Sequence, residues 1–424
     1  MRRLDYTYWG SPVSGQNLKL FSPMTVSPPV GSSRFYTIDE PTNSFVAIFD
    51  PTGSDFAVAK GYAIRAPNDF GTSPQTFSGA FTGVPNNGET SIAITNSGSG
   101  FNLISNPYPS PISADLFLAQ NPGSLYFWTH NNQVAASGAN YATYSDMGYA
   151  AAAGGATPNG WIQTGQGFLL STASAGVATF TNGMRSGNNS GQFFRSSNEI
   201  EKHRIWLNLS NDSGMQNQIL MGYMTNATMA ADISTDAKQV EGGISNIASL
   251  IGEEKYNIQG RALPFMNTDQ IPLSFNAVTA GNFTIAIDHV DGMFADGQDI
   301  FIKDNVSGMT HNVKESAYTF AAEAGTTTNR FSVVFQNSTL GTENPAFDAN
   351  NIVVFKSSNV LNINSGNTTM SGVKVFDIRG RLIFEQSAIN ANTAVLNNLS
   401  AEQQVLLVQI TSDDNRVVTK KVVY

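Results

Sequence analysis

Histidine and cysteine are common metal ligands and nucleophiles, and neither is arranged for such chemistry in this chain. The four histidines are His130, His203, His289 and His311, and no two have the three- to five-residue spacing typical of zinc ligands. The chain has no Cys, which also excludes disulfides, thiolate zinc sites and a Cys nucleophile. We therefore predict neither a zinc site nor histidine-based catalysis.

An acidic stretch, IDHVDGMFADGQDIFIKD (287–304), holds several carboxylates close together, and oxygen ligands of this kind can bind Ca²⁺. Its spacing differs from that of an EF-hand, because no Glu closes the loop. The pairs Asp291-Gly292 and Asp296-Gly297 are typical of turns between strands. We favour turns over calcium binding here, and we expect no other cofactor.

Carboxylate pairs and nucleophile motifs give no support for an enzyme. Glu253-Glu254 and Asp413-Asp414 are adjacent pairs in polar surroundings, whereas glycoside hydrolysis needs two carboxylates facing each other across a cleft. The sequence has no G-x-S-x-G nucleophile elbow. TGQGF (164–168) lacks the Lys and the following helix of a phosphate-binding loop. We therefore expect no enzymatic activity.

Aromatic residues are the remaining candidates for ligand binding, because the chain has 27 Phe, 13 Tyr and 4 Trp. Tyr6, Tyr8 and Trp9 lie close together, and residues 126–128 are three consecutive aromatics. One member of each set should face outward on a strand. Exposed aromatics mark a binding surface only where they form a patch. Core packing is the favoured interpretation, and contact with carbohydrate is the alternative.

Length and charge limit the class of protein and its partners. The 424 residues predict several domains. A net charge of −9 would repel a phosphate backbone, so we expect no nucleic-acid partner. No apolar run approaches the roughly 18 residues of a spanning helix, so we expect no direct membrane span. The first residues, MRRLDYTYWG, lack the apolar run of an export signal, so the chain is either cytoplasmic or the C-terminal piece of a longer protein.

The elements that must position these residues are almost all short strands. Runs rich in Val, Ile, Phe, Tyr and Thr alternate with clusters of Gly, Asn, Pro and Ser along the whole chain. This pattern predicts an all-β, multi-domain protein built from β-sandwiches. Helical periodicity occurs only at 112–119 and near 245–254.

Shifts in charge indicate where the domains meet. The net charge is −2 up to residue 200, −9 from there to residue 350, and +2 over the remainder. Polar segments with Asn and Ser, GMRSGNNSGQ (183–192) and NSTLGTENPAFDAN (337–350), precede the two changes. We predict a β-rich domain over 1–200, an acidic β-sandwich over 201–345 and a third domain over 346–424.

The third domain has the clearest strand pattern, with seven apolar runs separated by turn residues. Their number and spacing predict a small, seven-stranded, immunoglobulin-like sandwich. In QVLLVQITS (404–412), alternation places Leu406, Val408 and Ile410 on the core face. In RVVTKKVVY (416–424), it places Lys420 and Lys421 on opposite faces.

A hairpin is predicted within VKVFDIRGRLIFE (373–385). Arg379-Gly380 can form a two-residue loop, because Gly adopts a positive φ without steric cost. Asp377 can accept backbone N–H bonds at the entrance to the turn.

These residues resemble the C-terminal sorting domain of cargo proteins of the type IX secretion system of Bacteroidetes. The resemblance covers 351–424 and rests on a V-x-V-F/Y-D-x-x-G-R hairpin and on a terminal strand with a Lys pair followed by apolar residues. The matching residues of the two elements are Val373, Val375, Phe376, Asp377, Gly380 and Arg381, and Lys420, Lys421, Val422 and Val423. Lys356-Ser357-Ser358 stands where the commonest subclass has Pro-Asn-Pro, so the tail is more similar to a subclass seen on secreted chitinase-like cargo.

The resemblance implies a secreted or cell-surface protein that reaches the outer membrane through the periplasm. It implies three partners, namely the outer-membrane translocon, a β-barrel shuttle and a sortase. The residues expected to recognise the translocon are Val375, Asp377, Gly380, Arg381, Lys420, Lys421 and Val422. Charges on an edge strand that resist aggregation are the alternative interpretation of Arg381 and the Lys pair.

Upstream segments resemble recurrent parts of large flavobacterial surface proteins, where they follow long N-terminal regions. These segments are DYTYWGSPV (5–13), LISNPYPSPI (103–112), GQGFLLS (165–171), ATFTNGMR (178–185) and AYTFAAEAGTTTNRFSVVF (317–335). We therefore expect an upstream region with a signal peptide. For residues 1–345, two interpretations stay open. One is an adhesin-like or gliding-associated surface module, and the other is a carbohydrate-binding accessory of a polysaccharide-degrading enzyme.

Overall fold

The structure, a computed structural model, divides the chain into two compact units, residues 1–337 and 338–424. The residues that it describes are 1–129, 141–155, 157–185, 200–240, 242–337, 347, 352–357, 360–365, 368–397, 399, 401 and 404–424. Within these ranges nearly all regular structure is β-strand, which confirms the all-β, multi-domain prediction. The helices in the described ranges are all too short to cross a membrane.

The first unit contains strands β1 to β26. In its first half these are β1 Tyr6–Trp9, β2 Val13–Ser14, β3 Phe35–Asp39, β4 Ser44–Ala47, β5 Tyr62–Arg65, β6 Val84–Pro85, β7 Thr90–Ile94, β8 Phe101–Ser105, β9 Ile112–Ser113, β10 Ser124–Trp128, β11 Tyr141–Ser145, β12 Gly148–Ala150, β13 Trp161–Ile162, β14 Gly167–Ser171 and β15 Gly176–Phe180. They form a four-stranded sheet, β1-β5-β3-β4, and a five-stranded sheet, β12-β11-β10-β14-β8. Three strand pairs, β13-β9, β15-β7 and β2-β6, complete this half.

The second half of the first unit is one large sheet. Its strands are β16 Lys202–Asn211, β17 Gly214–Met224, β18 Ala237–Lys238, β19 Asn246–Ile251, β20 Glu254–Ala262, β21 Gln270–Ala277, β22 Gly281–Val290, β23 Phe301–Asp304, β24 Met309–Asn312, β25 Tyr318–Ala322 and β26 Gly325–Val334. They follow the order β24-β23-β26-β21-β19-β20-β17-β16-β22-β25, and β18 pairs with β20. Ile205 and Phe283 from one end share a core with Phe275 and Phe331 from the other, so the sheet folds over its own apolar face.

The boundary expected near residue 200 falls inside the first unit, because the two halves share a core. Trp206 and Leu220 of the large sheet are buried in one cluster with Tyr126 of the five-stranded sheet. The Trp206 indole N–H donates to the Tyr149 carbonyl oxygen at 2.7 Å. The boundary expected near residue 345 lies outside the described residues.

Two α-helices lie in the described ranges, α1 Leu18–Phe21 and α2 Ala114–Gln120. Helix α2 confirms the periodicity noted at 112–119, and the Ser113 hydroxyl accepts the Leu116 N–H at its start. The prediction of a helix near 245–254 is wrong, because that stretch forms β19 and the start of β20. Strand β19 is buried on both faces, so its apolar residues do not alternate and its sequence cannot be told from a buried helix.

The described residues of the second unit form the seven strands predicted from the apolar runs. They are β27 Val353–Ser357, β28 Val360–Asn364, β29 Met370–Asp377, β30 Leu382–Ala391, β31 Thr393–Leu396, β32 Val405–Ser412 and β33 Val417–Val423. A three-stranded sheet, β27-β28-β31, and a four-stranded sheet, β30-β29-β32-β33, contribute to one core. Leu406, Val408 and Ile410 are fully buried in it, which confirms the face predicted for β32.

Candidate recognition surface

The turn between β29 and β30 is organised around the carboxylate of Asp377. Its Oδ1 accepts the backbone N–H groups of Arg379 at 2.9 Å and of Arg381 at 3.0 Å. Its Oδ2 accepts the Arg381 side-chain Nε–H at 3.1 Å. These bonds hold the pKa of Asp377 below its usual value, the Arg381 backbone N–H contributing most. The prediction that Asp377 accepts backbone N–H bonds at this turn is confirmed.

The loop of this hairpin has three residues rather than the predicted two. The Asp377 N–H donates to the Arg381 carbonyl and the Gly380 N–H to the Asp377 carbonyl, each at 3.0 Å. Gly380 has a φ of 81°, in the left-handed region. A turn followed by a left-handed Gly is the usual form of a three-residue hairpin loop. The sequence pair Arg379-Gly380 therefore located the turn but not the pairing that closes it.

The tip of the hairpin is basic and apolar. The Arg381 side chain is 77% exposed, and Arg379 is also exposed. Beside them Ile378 and Leu382 are 69% and 45% exposed. Sequence reasoning missed these two apolar residues, although both lie inside the quoted hairpin motif. Val375, by contrast, is fully buried, so it supports the turn from the core and cannot touch a partner.

The terminal strand β33 forms one edge of the four-stranded sheet. Lys421 is exposed, whereas Lys420 and Val422 are half-buried on the face that packs toward the core. The opposite facing of the two Lys residues is therefore confirmed. Tyr424 is buried, and its N–H donates to the Gln404 carbonyl at 2.8 Å, which fixes the chain end against β32.

Strand register brings the turn and the terminal strand together. Phe376 pairs with Leu382 on one side and with Leu407 on the other, and Leu407 pairs with Lys421. These four residues form a row across all four strands on the sheet face away from the core, and we call them the outer row. Neighbouring strands are about 4.8 Å apart, so about 10 Å separates Phe376 from Lys421. Two motifs more than thirty residues apart thus meet at one end of one sheet.

Comparison with protein families divides the chain in the same way as its fold. The family described as "Domain of unknown function (DUF8693)" matches residues 1–335. The chain belongs to this family. A second family, "Domain of unknown function (DUF8694)", matches residues 340–424, so the DUF8693 match ends and the DUF8694 match begins at the division between the two units. A search of curated proteins gave no match. Neither family description names an activity, ligand or partner.

In the DUF8693 part, the carboxylates of the acidic stretch 287–304 each contact a different partner. Asp291 binds the Arg204 guanidinium at 2.6 Å, and Asp304 binds that of Arg330 at 3.0 Å. Asp299 accepts from the Asn312 amide at 3.2 Å. Among the described residues, no three His, Asp or Glu side chains lie close enough to hold a metal ion.

The described histidines lie apart from one another. His203 contacts Glu201, His289 stacks on Trp206 at 3.9 Å between ring centroids, and His311 bonds the Ser316 carbonyl. His130 lies outside the described residues. In the N-terminal aromatic sets, Tyr8, Tyr126 and Phe127 are buried in the core. The other three, Tyr6, Trp9 and Trp128, are half-buried.

Proposed function

We propose that the second unit is a sorting domain, which directs an exported protein across the outer membrane through the type IX secretion system. The outer row carries this proposal. It joins the two elements of the family resemblance, the Asp377 turn and the Lys421 strand, into one continuous surface. Its partners are then the translocon and the β-barrel shuttle, with a sortase acting after translocation.

The chemistry of this surface suits docking of a folded domain. The outer row is apolar at Leu382, Phe376 and Leu407 and ends in the cation Lys421. The exposed side chain of Arg381 follows the turn directly before Leu382 and adds a second cation beside the row. Apolar contact supplies affinity and the flanking cations can make charge-assisted hydrogen bonds to carboxylates or carbonyls of a partner. Because the turn and the chain end are both fixed by hydrogen bonds, little conformational entropy is lost on binding.

The first unit is then the passenger, an adhesin-like or gliding-associated surface module. Its low content of charged residues and its many short strands suit a stable extracellular β protein. Because no Cys occurs in the chain, its stability comes from packing and hydrogen bonds rather than from disulfides.

The test is export of a reporter. Residues 338–424 are fused behind a periplasmic signal peptide and a fluorescent protein and expressed in a bacterium that has the type IX system. We expect fluorescence in the medium or on the cell surface, and periplasmic retention in an isogenic strain without the translocon. Retention of the fusion in both strains would show that the unit is not a sorting domain.

A matched pair of substitutions then tests the outer row itself. Leu382→Ser removes an exposed apolar side chain from the row, and Val395→Ser removes one of similar exposure from the other sheet. We expect Leu382→Ser to reduce export severalfold while Val395→Ser leaves it unchanged. Equal effects of the two substitutions would place recognition elsewhere.

A further inference from the structure

An aromatic pocket opens in the first unit between the five-stranded sheet and the loop at 157–166. Its volume is about 250 Å³. Strands β10 and β11 supply one wall with Trp128 and Tyr144, and strand β13 supplies Trp161. Three amide side chains, Asn159, Gln163 and Gln166, also line the pocket. We propose that this pocket binds a neutral pyranose unit of a glycan, whether or not the second unit is a sorting domain.

The ring of Trp161 is held toward solvent by its strand. Strand β13 has two residues, and Ile162 is fully buried while Trp161 is 40% exposed. The fully buried amide of Asn106 donates to the Ile162 and Gln163 carbonyls, each at 3.1 Å, which fixes the backbone on the C-terminal side of Trp161. The Asn159 side-chain oxygen accepts the backbone N–H of Trp161 at 3.2 Å. A large apolar side chain is thus exposed on a rigid support.

The indole of Trp161 also has unused binding capacity. Within the described part of the chain, no aromatic ring packs against this indole, and its ring N–H, unlike the backbone N–H, has no hydrogen-bond partner. Trp128, by contrast, is already fixed, because its N–H donates to the Tyr6 carbonyl at 2.9 Å and its ring stacks on Tyr8. Tyr144 donates its hydroxyl to Asp115 at 2.6 Å. The pocket therefore has a preorganised floor and one aromatic face available to a ligand.

The lining selects the chemical class of the ligand. None of the described residues that line the pocket is charged. A pyranose presents an apolar C–H face, which fits the Trp161 ring, and a rim of hydroxyl groups that both donate and accept. Asn and Gln side chains offer both donors and acceptors for such hydroxyls. A volume of about 250 Å³ is below the roughly 300 Å³ of ordinary ligand pockets, which limits occupancy to a single sugar ring of a longer chain.

The test is calorimetric titration of the full chain with neutral hexasaccharides of glucose, mannose and N-acetylglucosamine, and with anionic oligogalacturonate. We expect at least one neutral sugar to bind and to change the intrinsic tryptophan fluorescence. Trp161→Ala should weaken that affinity at least tenfold, whereas Trp161→Tyr, which keeps an aromatic face, should stay within about threefold. Phe49→Ala, which removes a residue 82% exposed and outside the pocket lining, should leave the affinity unchanged.

Three results would overturn the proposal. They are no binding of any neutral sugar at millimolar concentration, unchanged affinity in Trp161→Ala, and tighter binding of oligogalacturonate than of every neutral sugar. If Trp161→Ala does not fold, Gln163→Ala replaces it, because that side chain is exposed and contributes only polar contacts. Gln163→Ala should weaken binding at least threefold, and an unchanged affinity would again contradict the proposal.

Discussion

Two substitutions in the hairpin should separate the shape of the turn from the charge that it displays. In Asp377→Asn, the retained oxygen can still accept both backbone N–H groups, because both bonds go to Oδ1. The new amide N–H₂ cannot accept from the Arg381 side chain, whose only bond to this residue goes to Oδ2. Asp377→Asn therefore releases Arg381 and keeps the turn.

Gly380→Val does the opposite, because it strains the backbone and leaves the carboxylate in place. A Cβ at Gly380 would meet no atom within 4 Å, so the cost is that of a left-handed φ alone. This cost is about 1–2 kcal/mol for an ordinary L-residue. A domain stable by about 5–15 kcal/mol stays folded after such a loss. Gly380→Asn should cost less, because Asn adopts this conformation more readily.

The assay combines urea denaturation of the isolated second unit, followed by circular dichroism, with export of the reporter fusion. We expect Gly380→Val to lose about 1–2 kcal/mol and Gly380→Asn clearly less. We expect Asp377→Asn to remain folded and to be exported less. If Gly380→Asn loses as much stability as Gly380→Val, the conformational argument is wrong. If Asp377→Asn is exported normally, the turn has only a structural role.

Three further predictions follow from the environment of single charges. Lys421→Ala should reduce export more than Lys420→Ala, because only Lys421 lies on the exposed face, and equal export of both would contradict this. Arg330→Met should lower the free energy of unfolding of the full chain by about 3 kcal/mol, measured in urea by tryptophan fluorescence, because it leaves a fully buried Asp304 without its cation. A loss below about 1 kcal/mol would refute that reasoning. Burial raises the pKa of Asp236 to about 6, so the stability that its protonation provides is fully present below about pH 4 and is lost as the pH rises through 6. This change amounts to about 3 kcal/mol and should be absent in Asp236→Asn.

Alternation along the chain predicted the strands of the second unit because each has one buried and one exposed face. The core positions Leu406, Val408 and Ile410 follow directly from that pattern. The same reasoning failed near 245–254, because β19 is buried on both faces and its polar residues no longer mark a solvent side. The division that charge shifts predict near residue 200 falls inside the first unit, since a core shared between sheets leaves no signature in local composition.

In the candidate sites, too, the sequence predicted local structure and not the features that depend on how strands pair and pack. Asp377 and Gly380 could be identified because a turn is a local structure and its residue preferences are strong. The outer row could not, because it depends on the register of four strands. The pocket at Trp161 depends on β10, β11 and the 157–166 loop lying side by side, although Trp128 and Trp161 are far apart in the sequence. A cluster of aromatic and amide residues in WIQTGQ (161–166) was the one local signal available.

Protection against aggregation is the competing explanation for the basic residues of the second unit, and it accounts for only part of the surface. A Lys on an exposed edge strand does discourage pairing with another chain, so Lys421 fits that role. Arg379 lies in the hairpin loop, where no strand edge needs protection, whereas Arg381 directly precedes β30, the other edge strand of the sheet. Ile378 and Leu382 are exposed beside them, which a surface shaped only by solubility would avoid. Exposed apolar residues on a rigid, basic turn are what a docking surface requires. Docking therefore explains all five residues, namely Lys421, Arg379, Arg381, Ile378 and Leu382, and the export assay tests this explanation.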